Sequence, residues 1–325
     1  MSASESFTLA AVQAAPLYFD RDASCEKACR LIQEAADKGA NLAAFSECWL
    51  PGHPFFGSAG SPFLNSIYAE VREAYLDASV EIPSPTTERL CQAAADCGID
   101  VAIGIAERDT RTQGTTYCTL LFIGSDGRIL GRHRKLKPFG PERTVWGEGD
   151  GSGLRTYQRS YGRIGGLNCG EHYMMLPGYA LVAQGIQIHV STWPLSRALG
   201  SKGTNFLVAR AFAAQASCYA IAVGGIMIPE NVPEQFRDLD VAFRTKSAAG
   251  SCIVDPSAQV LVVAPAEEEA IITAQGSLET IRKRKTSFDI AGHYARPDVF
   301  KLVVNRQQKI AVEFNDPGDG DAGRS

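Results

Sequence analysis

The sequence predicts an α/β fold, with mixed sheets buried under helices in one domain. Two observations carry that expectation. Short apolar runs alternate with segments of helical period along most of the chain. Two strand pairs joined by tight turns interrupt the alternation, so the sheets cannot be purely parallel. In order, "TLAAVQ" (8–13) is a short apolar strand, and residues 22–38 place Cys25, Ala28, Cys29, Ile32, Ala35 and Ala36 on one helical face. Gly39 stops that helix, and "NLAAF" (41–45) is the next buried strand. Helical patterns follow near 66–79 and 86–97, then the strand "DVAIGIAE" (100–107). "TYCTLLFI" and "RILGRHRK" flank Gly124-Ser125-Asp126-Gly127 and read as a hairpin. The second half repeats the alternation: strand 163–168, helix 174–184, strand 186–191, helix 204–217 and strand 219–224. A second hairpin, "SCIVDP" to "VLVVAP", and a strand at 270–276 close a domain expected over 1–314. The polar, Gly/Asp-rich residues 315–325 read as a disordered tail.

Bulk properties exclude several classes. The chain has 325 residues, 45% hydrophobic and 21% charged, with a formal net charge of -4. That mild acidity gives no general attraction to nucleic acid or to an anionic membrane surface. The one basic run, Arg282-Lys283-Arg284-Lys285, reads as a solvated or interface segment. No apolar stretch reaches the ~20 residues of a membrane helix, so no membrane span is expected. No basic residue precedes the apolar part of "MSASESFTLAAVQAAP", so no signal peptide is expected either. The nine cysteines form no CxxC pair and no zinc-like cluster, which points to free thiols in a reducing cytoplasm and to no metal site.

Polar residues directly after buried strands are the candidates for chemistry, because sites in α/β folds are built at strand ends. Glu47 follows "NLAAFS", Lys135 follows "RILGRHR" and Cys169 follows "GRIGGLN". A thiol supplies a nucleophile, a carboxylate removes its proton and an ammonium stabilises developing negative charge. Taken singly, each has a plainer reading: surface charge for Glu47 and Lys135, a small buried hydrophobe for Cys169.

Local context makes the set specific. "AFSECWLPGHPFF" (44–56), "HRKLKPFGPERTVWGEGDG" (133–151), "GLNCGEHYMMLPGYALVAQGIQIHVSTWP" (166–194) and "DIAGHYARPDVF" (289–300) resemble the successive signature blocks of the nitrilases. These are the nitrile-cleaving branch of the carbon–nitrogen hydrolase superfamily. The resemblance runs from the first strand to about residue 300. It implies a four-layer α-β-β-α sandwich and a cofactor-free hydrolysis of an organic nitrile to acid and ammonia through a cysteine thioimidate and thioester. It carries Glu47 over as general base, Lys135 as cationic stabiliser, Cys169 as nucleophile and Glu142 as a second glutamate that orients the lysine. The backbone N–H of Gly170 is the implied oxyanion donor. It also implies a homodimer or larger assembly, extending in some members into a spiral.

One position departs from the family. The usual block reads Cys-Trp-Glu, whereas this chain has Cys169-Gly170-Glu171, which opens space beside the nucleophile and puts substrate size and amide by-product in question. His53, Tyr173, Met174, Trp193 and Pro194 flank the blocks, and each either lines a substrate pocket or packs. Trp146 reads as structural. A Cys169–His172 dyad is not expected, because Glu47 already supplies the base. Two alternatives stand beside nitrile hydrolysis: an amidase or N-carbamoyl hydrolase on the same residues, and a non-catalytic scaffold subunit.

Overall fold

Apolar runs covered on both faces become strands, and amphipathic segments become the helices that cover them. The computed structural model describes residues 6–58, 60, 63, 65–195 and 203–312. The tail expected at 315–325 lies outside the described residues. The first half contains β1 (Ser6–Gln13), α1 (Arg21–Asp37), β2 (Leu42–Phe45), α2 (Ser66–Ala78), α3 (Pro85–Cys97), β3 (Asp100–Arg108), β4 (Thr116–Ile123) and β5 (Ile129–Arg134). Next come β6 (Tyr157–Arg159), β7 (Gly162–Asn168), α4 (Met175–Val182), β8 (Ile188–Trp193), α5 (Thr204–Ala216) and β9 (Tyr219–Gly224). The chain then forms β10 (Ile226–Met227), α6 (Val241–Arg244), β11 (Ser247–Ala248), β12 (Cys252–Val254), β13 (Val260–Val263), β14 (Ala270–Ser277) and α7 (Leu278–Lys285).

Two six-stranded sheets result, with orders β14-β1-β2-β3-β4-β5 and β13-β12-β9-β8-β7-β6. In each, three parallel strands form the centre and antiparallel strands flank them. The period-two alternation explains how they stack. Leu9, Ala11, Leu42 and Ala44 of the first sheet meet Ile188, Val190, Ile221 and Val223 of the second in a central apolar layer. Their neighbours Ala10, Val12, Ala43 and Phe45 face outward and are covered by Ala28 and Ile32 of α1 and by Leu90 and Ala94 of α3. On the far side Ala220, Ala222 and Val254 are covered by Phe206, Ala209 and Ala213 of α5, while Leu181 and Val182 of α4 pack on Leu167. The layers are therefore α-β-β-α.

One strand is displaced from its sequence expectation. The strand expected at 186–191 runs instead over Ile188–Trp193, because Ile188 to Thr192 pair in parallel register with Ile164 to Asn168. Gln187 is held in the turn before it, its side chain accepting from the Arg163 N–H. That two-residue shift carries Ser191, Thr192 and Trp193 to the sheet end. The basic run forms the last turns of α7, where Ile281 is buried and the cations lie at the C-terminal end of the helix dipole.

Candidate active site

The ends of β2, β5 and β7 converge. Glu47 lies in the turn after β2 and is almost fully buried. That turn passes so close over β3 that a β-carbon at Gly104 would collide with the Ser46 carbonyl and the Cys48 nitrogen. Lys135 follows β5 directly, its N–H donating to the Cys118 carbonyl at 2.7 Å. Its Nζ donates to Glu47 Oε1 at 2.6 Å and to Glu142 Oε2 at 2.7 Å. Glu142 sits in a short 3-10 turn, Gly140–Thr144, and its Oε2 also accepts the Phe139 N–H at 2.7 Å, while Oε1 meets His53 Nε2 at 3.2 Å. The Trp146 ring lies 5.6 Å from Lys135 Nζ, and its Nε1 donates to Tyr75 Oη, so it packs the cation from one side.

One ammonium between two buried carboxylates sets their protonation apart. Burial pushes the Glu47 carboxyl up and Glu142 adds repulsion, while Lys135 pulls it down without cancelling the rise. Burial acts on Glu142 in the same direction, but the His53 hydrogen bond and Lys135 hold it below the usual carboxylate range. Burial alone would lower Lys135, yet Glu47 and its other anionic neighbours keep it well above an ordinary lysine. Glu142 is thus the fixed counter-ion and Glu47 the stronger base. Glu47 Oε1 is saturated by Lys135 and by the Cys118 thiol at 3.3 Å, whereas Oε2 has no protein partner among the described residues. Oε2 is therefore the oxygen left free to take a proton. Glu47, His53 and Glu142 also offer three donor atoms within 4.8 Å of one another, but Lys135 Nζ already bridges the two carboxylates there.

Cys169 opens a second 3-10 turn, Cys169–Tyr173, at φ 40, a left-handed conformation that a non-glycine residue holds only when its surroundings fix it. Burial raises its thiol well above the usual value and Glu47 adds to the rise, while Lys135 and the Gly170 N–H oppose it. The balance favours the protonated thiol over the thiolate. Glu171 anchors the turn from beneath: it accepts the Asn168 and Leu136 N–H groups at 2.9 Å each and meets His133 Nε2 at 3.0 Å. Burial works against the Glu171 charge, but His133 and these two N–H donors keep the carboxyl below its usual range. One buried carboxylate thereby ties the Cys169 turn to the segment that carries Lys135.

A cavity of about 720 Å³ opens over Cys169 and Gly170. His53, Tyr173, Trp193 and Pro194 line it, together with Phe55, Phe139 and Leu195. Met174 is placed differently from the other pocket candidates. It lies where the 3-10 turn passes into α4, and its side chain lines a second apolar cavity with Met175, Leu176 and Phe212. A β-carbon at Gly170 would meet no atom within 4 Å, and Gly170 is not among the positive-φ glycines. Trp193 is 1% exposed and stacks on His172 with ring centroids 5.2 Å apart. Sequence reasoning missed Cys118, His133, Glu171 and His189 as parts of this site, and took up His172 only as a thiol partner, whereas its ring meets the Cys169 carbonyl. Only Glu171 carried a local signal, in the Cys-x-Glu spacing.

A thiol facing a cavity, with a buried carboxylate and ammonium close by at the strand ends of an α-β-β-α sandwich, has the make-up of a thiol-dependent hydrolase site. The chain belongs to the carbon–nitrogen hydrolase family, whose model matches residues 8–286. Within it the chain falls among the nitrilases. It is 48% identical over 315 residues to "Nitrilase 2" of an unknown prokaryotic organism, covering 97% of each chain. It is 37% identical to the aliphatic nitrilase of Sinorhizobium fredii (strain HH103), covering 94% of this chain and 98% of that one. In fold it is similar to Saccharomyces cerevisiae Nit3, a member of branch 10 of the nitrilase superfamily, with TM-score 0.69 at 20% identity over 90% of this chain and 98% of that one. The protein is a hydrolase of carbon–nitrogen bonds.

Proposed function

We propose that the protein hydrolyses an organic nitrile to its carboxylic acid and ammonia, with Cys169 as the nucleophile. The observation that carries the reading is Lys135 bridging Glu47 and Glu142 while Glu47 Oε2 stays unpartnered, beside a cavity floored by Cys169. Glu47 takes the thiol proton and the thiolate adds to the nitrile carbon, giving a thioimidate once its nitrogen is protonated. Water, activated by Glu47, adds to the thioimidate carbon. The tetrahedral adduct expels ammonia to leave a thioester, which a second water cleaves to acid and free thiol. Lys135 and the Gly170 N–H stabilise negative charge as it develops. If the carbon–sulfur bond breaks before ammonia leaves, the product is the amide.

The test is intact-protein mass spectrometry after incubation with a mixed panel of aliphatic, aryl and arylacetonitrile substrates and the matching amides. The expected result is an adduct on Cys169 from nitriles, with ammonia released on turnover. Adducts and ammonia from the amides alone would replace this reading with an amidase, and neither from any compound would favour a scaffold.

Gly170 bears on substrate size. Open space and ordinary φ allow Gly170→Trp without backbone strain, and the backbone donor is kept. The indole fills room beside the thiol, so kcat/KM is expected to shift toward a small aliphatic nitrile over a bulky aryl one, with a changed acid-to-amide ratio. Unmoved ratios for both substrates would make Gly170 a neutral replacement.

The assembly we favour is a homodimer, able to extend into a spiral. Exposed Met175, Leu176 and Leu207 on α4 and α5 support an apolar contact face. Nine free cysteines fit a reducing cytoplasm. Among the described residues no helix is long and apolar enough to cross a membrane.

A further inference from the structure

Behind the nucleophile lies a pair of histidines that the reaction above does not use. His172 Nδ1 sits 2.8 Å from the Cys169 carbonyl oxygen, and its Nε2 sits 2.9 Å from His189 Nε2. The carbonyl can only accept, so His172 Nδ1 carries the hydrogen. Burial holds His172 down to about 4 and His189 well below an ordinary histidine, so both rings are neutral at pH 7. A neutral ring with its hydrogen on Nδ1 presents Nε2 as an acceptor, and His189 Nε2–H must donate to it. His189 Nδ1 is then a bare acceptor, which agrees with its having no partner among the described residues. The tautomers are forced in sequence from one carbonyl. Packing fixes both rings: His189 stacks on Phe212 at 3.9 Å and His172 on Trp193 at 5.2 Å.

The carbonyl that His172 holds belongs to the same peptide unit as the Gly170 N–H. That peptide is trans, so its carbonyl and N–H point in opposite directions. Gripping the carbonyl from behind therefore aims the N–H the opposite way, and that N–H opposes the rise of the Cys169 thiol. Glycine at 170 has no side chain to steady the unit, which makes an external hold more consequential. We propose that His189 and His172 form a two-histidine relay of positioning residues that aims the Gly170 N–H at the developing negative charge. The inference rests on the role proposed for Cys169, and the test separates the two.

The experiment compares kcat, KM and the Cys169 adduct for wild type, His172→Phe, His172→Asn and His189→Leu on one nitrile. Phe keeps a ring without a donor, whereas the Asn side-chain amide can place an N–H where Nδ1 stood. Removing one oxyanion donor typically costs about 100- to 1,000-fold in kcat, so mis-aiming it in His172→Phe should cost at least about tenfold, with KM within about threefold. His172→Asn should recover to within about threefold of wild type. His189→Leu leaves the donor in place but frees the ring, and should lower kcat severalfold; it stands as the test if His172→Phe does not fold. A wild-type kcat in His172→Phe or in His189→Leu, or an Asn variant as slow as the Phe variant, would overturn the relay. Absence of the adduct in wild type would overturn the nucleophile itself, a different result from an adduct that forms normally in variants of unchanged rate.

Discussion

Cys169→Ala is expected to lose turnover by far more than a hundredfold while folding normally. Covalent catalysis divides a difficult addition into two easier ones, and a methyl group at this position offers no atom to form the thioimidate. Removal of a nucleophile that acts together with its base commonly costs about a millionfold in kcat, so residual activity above about a hundredth of wild type would show that another group attacks. Stability should change little, because alanine meets the same left-handed φ of 40 that cysteine already tolerates. A shift in Tm within about 3 °C is expected. Cys169→Gly should be equally inactive but lose no stability through backbone strain, since glycine adopts this conformation freely. The control is Cys118→Ala: it removes a buried thiol from the same cluster but no bond-forming atom, and should retain measurable turnover. If Cys118→Ala were as dead as Cys169→Ala, loss of any thiol here would be enough to disable the site, and the assignment would lose its support.

Legibility in the sequence followed the range of the interactions. Glu47, Lys135 and Cys169 were readable because each closely follows a strand, Lys135 the second strand of a hairpin, and a strand end is a local signal. Glu142, seven residues past Lys135 in an irregular segment, was readable only through the family block. The supporting groups were silent because their partners are remote in sequence. Glu171 reaches His133 across 38 residues and Cys118 reaches Glu47 across 71. Gly104 looks like an ordinary strand glycine until the Glu47 turn is laid over it. His172 was read beside the thiol, as a dyad partner to be dismissed, while its hydrogen bond is to the backbone of the same cysteine. Apolar runs alternating with helical segments made mixed sheets under helices readable, whereas the four layers were readable only through the family resemblance, and the ends of β8 depended on its register with β7, which no local pattern encodes. Met174 was grouped with the pocket residues by adjacency to Tyr173, and the entry into α4 turns the two side chains into different cavities.

Lys135→Met is expected to abolish activity and, unlike Cys169→Ala, to destabilise the protein in a pH-dependent way. Methionine keeps much of the length of the lysine side chain but removes the ammonium that Glu47 Oε1 and Glu142 Oε2 share at 2.6 and 2.7 Å. Removing one partner from a buried ion pair typically costs about 3–5 kcal/mol, because the remaining charge is left without compensation. Here two carboxylates are left, and the cheapest relief is for one to bind a proton. Glu47 is the one, since burial already pushes it up, whereas His53 still supports Glu142. The base is thereby neutralised as the cation is lost, so the rate falls for two reasons. The sign for stability follows. A carboxyl whose folded pKa lies above its unfolded value adds stability that is fully present below the unfolded value, near 4, and is lost as pH rises through the folded one. The deficit of Lys135→Met against wild type, measured by urea unfolding, should therefore be smaller at pH 5 than at pH 8. Glu142→Gln is the contrasting variant. It keeps an acceptor for the Phe139 N–H and leaves Lys135 paired with Glu47, so a sharp loss of rate with little change in midpoint is expected. An equal deficit for Lys135→Met at both pH values would mean that neither carboxylate is desolvated enough to take the proton, and the division of labour between Glu47 and Glu142 would fail with it.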